Sequence, residues 1–243
     1  MVLLMTHAAV AFQAPAVHTK PVQVFIMMGQ SNMLGEGKIH GADKNGTLEY
    51  AVKTEHKYAY LWNTSSGAWA TSPNVRNVFI MGSGNQSFEA SKLQHNEFMT
   101  AGVGTTIGPE LGIGFTLSNF TDAPVMTLKS CIGDRVLGWD LLPPGSESFD
   151  YNDSKTVWTY AGYHQSPARW LKGTTPKPIG WMAGEQYDGD TNRSSIILTN
   201  LDTYYPGASG YEVAGFFWWQ AGAPLRLATP VNRTSRTHGS CSG

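Results

Sequence analysis

Two cysteines, Cys131 and Cys241, are all that the 243 residues contain. They are too few for a disulfide framework or a cysteine-based metal site. Charge is scarce as well: 14% of the residues are Asp, Glu, Lys or Arg, with 17 basic against 18 acidic. Without a basic excess or a run of like charge, the chain carries no electrostatic footprint for nucleic acid. No apolar run approaches the length of a transmembrane helix, and there is no internal repeat or low-complexity tract. What is plentiful is glycine, 27 residues, and tryptophan, 8 residues. That composition suits one large, loop-rich α/β domain presenting aromatic surfaces to small molecules or sugars.

Three apolar runs read as core strands: QVFIMMG (23–29), PVMTLKSC (124–131) and EVAGFFWWQ (212–220). A fourth, NVFIMGSG (77–84), reads as a shorter edge or loop strand. Two segments read as helices, GPELGIGFTLSNF (108–120) and DTNRSSIILTNLDTYY (190–205), the latter ended by Pro206-Gly207. Strand, helix, strand is the pattern of a parallel sheet with crossover helices. The aromatic stretches 49–100 and 138–190 then become insertions at the rim, where binding functions concentrate, or else packing decoration.

Each of the three strong runs ends in small polar residues: GQSNM after the first, SCIGDR after the second and WWQ closing the third. In a parallel sheet those ends share one edge, so Ser31, Gly133 and Gln220 are expected to converge there. A serine nucleophile attacking an ester carbonyl needs donors aimed at the developing oxyanion. The backbone N–H groups of Ser31 and Gly133 and the side-chain amide of Gln220 would supply three. The plainer alternative is turn chemistry, with Ser31 or Asn32 capping a helix. Asp134 and Arg135 read either as an ion pair beside this site or as a solvated surface pair.

The blocks FIMMGQSNMLGEG, IGPELGIG, LKSCIGDRVLGWDLLPPGS and GYEVAGFFWWQ resemble the sialate O-acetylesterase-type carbohydrate esterases of the SGNH hydrolase superfamily over about residues 22–220. The resemblance implies a flavodoxin-like three-layer α/β/α sandwich around a central parallel sheet. It also implies hydrolysis of O-acetyl groups on an acetylated carbohydrate, without metal or cofactor. Carried onto this chain, it makes Ser31 the nucleophile, with Gly133 and Gln220 in the oxyanion hole. Gln30, Asn32, Arg135, Trp139 and Trp219 are then the candidate substrate-binding residues. Trp170, Trp181 and Trp218 are further candidates for lining a sugar cleft.

The resemblance fails after Gln220. Residues 221–243 bear arginines but no acid and lack the Asp-x-x-His segment that the family places there. None of the seven histidines has an Asp three positions earlier, and His238 has Ser235. A serine needs a base to take its proton and an acid to orient that base. The abrupt change at Ala221 is the expectation for a truncated or mis-read end. The competing functions are a non-catalytic carbohydrate-binding protein and an inactive flavodoxin-like domain. Residues 1–20 read as a signal peptide, with the apolar core VLLMTHAAVAF and a small-residue AFQA site. Asn-X-Ser/Thr sequons stand at Asn45, Asn63, Asn85, Asn119, Asn152, Asn192 and Asn232, and together with that leader they point to secretion.

Overall fold

A computed structural model describes residues 19–220. The signal-peptide reading falls almost wholly, and the 221–243 tail entirely, outside the described residues. Among these the chain forms two compact units, 19–135 with 186–220, and 136–185.

In chain order the first part of the larger unit runs β1 (Val22–Gly29), α1 (Ser31–Leu34), β2 (Gly37–Lys38), α2 (Leu48–Lys53), β3 (Trp62–Asn63) and β4 (Ala68–Trp69). It continues with β5 (Thr71–Met81), β6 (Lys92–Thr100), β7 (Thr106–Ile107), α3 (Glu110–Leu117) and β8 (Val125–Ser130). The smaller unit contributes β9 (Phe149–Asn152), β10 (Val157–Tyr160) and β11 (Arg169–Leu171), an antiparallel sheet ordered β11-β10-β9. The chain then returns through α4 (Glu185–Thr199), α5 (Leu201–Tyr204) and β12 (Tyr211–Trp219).

Among the described residues the central sheet has five strands in the order β12-β1-β8-β5-β6. The first four are mutually parallel, whereas β6 runs antiparallel to β5. The expected all-parallel sheet is therefore a mixed one. A hairpin connection explains the difference: residues 82–91 join β5 to β6 without a helix, and a short loop of that kind can only reverse the chain. The run expected as a short edge or loop strand at 77–84 belongs to an eleven-residue interior strand, β5. Its polar start TSPN hid it, and a register irregularity between Thr71 and Arg76 accommodates Pro73. Stretch 49–100 is thus not all rim insertion, whereas 138–190 corresponds closely to the smaller unit.

Alternation along the strands divides the core. Val24, Val78, Ile80, Met126 and Leu128 point to one face, where Ile197, Leu198, Leu201 and Tyr205 from α4, α5 and the residue after it cover them. Val75 and Val125 point to the other, packed with Leu111 of α3 and with Met99. All six residues of β8 are buried, as expected for a strand covered on both faces. The fold is mixed α/β with few helices. Among the described residues β12 stands at the sheet's margin and pairs with β1 alone, and its Val213 and Phe216 are each 55% exposed.

The second predicted helix starts earlier than expected, at Glu185. Its buried face is Gln186, Gly189, Asp190, Arg193, Ser194 and Ile197. That is helical spacing written mostly in polar residues, which a search for hydrophobic period passes over.

Candidate functional site

The sharp turn after β1 depends on Gly29. Its φ of +142° lies where side chains are disfavoured, and a Cβ there would stand 2.2 Å from the Trp219 carbonyl oxygen. Gln30 follows, 8% exposed, with its N–H donating to that same carbonyl at 3.4 Å. Ser31 opens the four-residue helix α1, whose Met33 packs with Met27, Phe79 and Cys131 on one sheet face. Among the described residues the Ser31 hydroxyl has no hydrogen-bond partner, and the side chain is half-buried. Asn32 is exposed.

The loop after β8 lies beside α1. A Cβ at Gly133 would meet only Leu34 Cδ2, at 3.9 Å, so the backbone here faces open space. Asp134 takes a left-handed φ of 57° and is exposed. Arg135 turns inward instead, 8% exposed. Its Nε donates to Gln186 Oε1 at 2.9 Å, Nη2 to Ser83 Oγ at 2.8 Å and Nη1 to the Asp134 carbonyl at 3.4 Å. The solvated surface pair is thus replaced by one exposed residue and one buried arginine that ties loops together. Gln220, directly after β12, donates from Nε2 to the Arg135 carbonyl at 3.0 Å.

The structure therefore brings the Ser31, Gly133 and Gln220 segments together at the carboxyl edge of β12, β1 and β8. Trp219 is 50% exposed on β12. Trp139 belongs to the smaller unit, where it is 9% exposed and packs with Ala161, Ala183, Trp170 and Trp181. These tryptophans form that unit's own apolar cluster.

A polar network that sequence reasoning missed underlies this edge. Arg193 is wholly buried and donates to Asp190 Oδ1 at 2.8 Å, to the Gly84 carbonyl at 3.0 Å and to the Gly82 carbonyl at 3.1 Å. Ser130, at the end of β8, donates to the same Asp190 oxygen at 2.9 Å. Gln186 accepts from Gly84 N–H at 2.8 Å and donates to the Gly82 carbonyl at 3.0 Å. Burial pushes the Asp190 carboxyl above its ordinary range, opposed by Arg193 and by hydrogen bonds from Gln186 and Ser130. The loops after β5 and β8 are thereby fixed from beneath. The one available signal was the i, i+3 spacing of Asp190 and Arg193.

Among the described residues no histidine hydrogen-bonds Ser31. His95 pairs through Nδ1 with Glu97 at 2.8 Å, but it stands on β6, three strand spacings from β1, roughly 14 Å. His164, in the smaller unit, stacks on Tyr163 with ring centroids 3.8 Å apart. His40 lines an open depression of about 520 Å³ with Trp62, Trp69, Lys53 and Glu49. That depression adjoins Thr71, the first residue of β5, and so lies at the opposite end of the strand from the Ser31 edge. Its groups satisfy one another: Lys53 bridges Glu49 at 2.6 Å and covers the Trp62 ring at 4.1 Å.

Among the described residues no group of three or more His, Cys, Asp or Glu is arranged to hold a metal ion. None of their helices is long and apolar enough to cross a membrane. No protein family, curated protein or solved structure matches this chain.

Proposed function

We propose that this chain is a serine esterase of the SGNH type acting on O-acetylated carbohydrate, with its core laid out as the corresponding three-layer α/β/α sandwich. The observation that carries the reading is the position of Ser31. Its unpartnered hydroxyl heads a short helix directly after a central strand, beside the loops that hold Gly133 and Gln220.

In the proposed reaction Ser31 Oγ attacks the acetyl carbonyl carbon and loses its proton to a base. The carbonyl oxygen becomes an oxyanion, received by the N–H groups of Ser31 and Gly133 and by the second N–H of the Gln220 amide, the first being given to Arg135. Collapse expels the sugar hydroxyl, which takes up a proton, and water then releases acetate from the acetyl-serine. The buried arginine network gives these loops one geometry in advance, which is how preorganised donors lower a barrier.

A serine and oxyanion hole acting without a positioned base retain roughly 10³-fold rate enhancement over water. The test is turnover of p-nitrophenyl acetate by the intact chain beside its Ser31→Ala variant. Slow hydrolysis that disappears in the variant supports the esterase. Equal rates in both proteins contradict it, and tight binding of sugars by such a protein would favour the binding-protein alternative.

A further inference from the structure

Three motifs of the sequence, GEG after the serine, IGPE opening α3 and LKSC closing β8, find no part in the chemistry above. The structure joins them at the carboxyl end of α1, the helix that Ser31 opens. Lys129 lies in the fully buried strand β8 with its side chain 1% exposed. Its ammonium donates to Glu110 Oε2 at 2.7 Å and to the Leu34 carbonyl at 2.9 Å, and stands 4.3 Å from the centre of the Phe79 ring. Leu34 is the last residue of α1, so its carbonyl is one of the orphan acceptors a helix leaves at its carboxyl end. Glu110, 6% exposed at its side chain, completes the set by accepting from Gly108 N–H at 3.1 Å through Oε1.

The two segments held by this pair touch at the backbone. A Cβ on Gly35, whose φ is +81°, would lie 2.1 Å from Gly108 Cα. Met27, Met33 and Phe79 form the dry surroundings on the same face. A charge placed there is costly unless paired. Apolar residues at both positions would fill the same space without that cost, so packing alone does not call for the ions. What the ions add is direction: a cation aimed at one carbonyl on the helix that presents the serine.

We infer that Lys129 and Glu110 are positioning residues that fix α1, and through it Ser31, against the start of α3. The inference rests on the esterase reading for its catalytic meaning, and on the geometry alone for the anchoring. Neither residue touches the reacting atoms. Their action is to hold the nucleophile within the small tolerance that catalysis allows, since a displacement of about 1 Å can cost 10²-fold in rate.

The test separates anchoring from stability. In the double variant Glu110→Leu/Lys129→Met, apolar side chains replace the pair, an exchange that is often neutral or stabilising for a buried ion pair. The full chain and this variant are treated with a fluorophosphonate, in which Ser31 Oγ displaces fluoride at phosphorus, and Ser31 modification is followed by mass spectrometry. Hydrogen exchange of the peptide covering residues 28–37 is measured on both, together with the melting temperature. We expect an unchanged melting temperature, a maximal labelling rate lower by about 10- to 100-fold with unchanged saturation, and faster exchange confined to α1.

A folded double variant that labels and exchanges as the wild type does overturns the inference. Absence of Ser31 labelling in the wild type would defeat the esterase reading instead; the exchange data then decide the anchoring by themselves. Should the double variant fail to fold, Glu110→Gln, which keeps the acceptor for Gly108 but removes the negative charge, is read by the same two measurements. A smaller loss of the same kind supports the pair, and wild-type labelling and exchange overturn it.

Discussion

Replacing Arg193 by Met removes the cation that faces Asp190 while keeping an unbranched side chain in the same space. Arg193 and Asp190 are both wholly buried, and the carboxylate would retain the Ser130 hydroxyl at 2.9 Å as a hydrogen-bond donor. The Gly82 and Gly84 carbonyls lose their guanidinium donors at the same time. Breaking a buried pair on one side costs about 3–5 kcal/mol, a large share of a total stability of roughly 5–15 kcal/mol. Urea unfolding followed by tryptophan fluorescence reads this directly: at a slope of about 2 kcal/mol/M the midpoint falls by roughly 2 M.

The sign with pH follows from Asp190, whose folded value is raised by burial above the ordinary 3.8. Folded protein then holds a proton that the unfolded chain has already released. Stability therefore falls as pH rises from about 3.8 through the folded value, by at most about 1.4 kcal/mol per pH unit. Removing Arg193 raises that folded value further, so the deficit of the variant is smallest near pH 4 and grows toward neutrality. Adding Asp190→Asn removes the charge and restores most of the loss at pH 7.5. A cost below about 1 kcal/mol at pH 7.5, or an equal deficit at pH 4 and pH 7.5, refutes the argument from the buried pair.

Gly29→Ala forces a side chain into a left-handed backbone and against the Trp219 carbonyl, so melting falls by an amount reflecting at least about 1–3 kcal/mol and fluorophosphonate labelling of Ser31 slows with it. Cys131 is buried with its thiol pushed up to about 12, so in a Cys241→Ser protein Ellman's reagent reacts only after denaturation. Reaction in the native protein would show that the core beneath α1 opens. Of the six sequon asparagines described, Asn45, Asn85, Asn119, Asn152 and Asn192 are exposed and Asn63 is half-buried. Expression through a eukaryotic secretory pathway is predicted to give glycoprotein whose mass falls on enzymatic deglycosylation; protein retained in the cytosol with an intact amino terminus contradicts the proposed secretion.

The strands with unbroken apolar runs were legible from the runs themselves: β1, β8 and β12 stand where QVFIMMG, PVMTLKSC and EVAGFFWWQ put them, although only β8 is buried throughout and β12 is largely exposed. The meeting of their polar ends was legible as well, since parallel neighbours finish at one edge. β6 was not, because KLQHNEFMT spends its alternation on half-buried polar residues such as His95, Asn96 and Glu97. The start of α4 was hidden in a similar way by a buried face built from Gln186, Asp190 and Arg193. Hydrogen bonds that reach 51 to 111 residues along the chain hold that face of α4, and no local pattern reports them. Trp139 shows the converse: its residue type suggested a sugar platform, and the fold uses it as packing in the smaller unit.

The central claim is that Ser31 is the nucleophile. With no base hydrogen-bonded to it among the described residues, acylation by an activated ester should outrun deacylation, so the acetyl-enzyme accumulates. The intact chain is mixed with p-nitrophenyl acetate, quenched in acid after successive intervals, digested and analysed by mass spectrometry. The expected result is an acetyl group on the hydroxyl of Ser31 that rises with time and is missing from Ser31→Ala. Acetylation that falls only on lysines, or that is unchanged in Ser31→Ala, would contradict it.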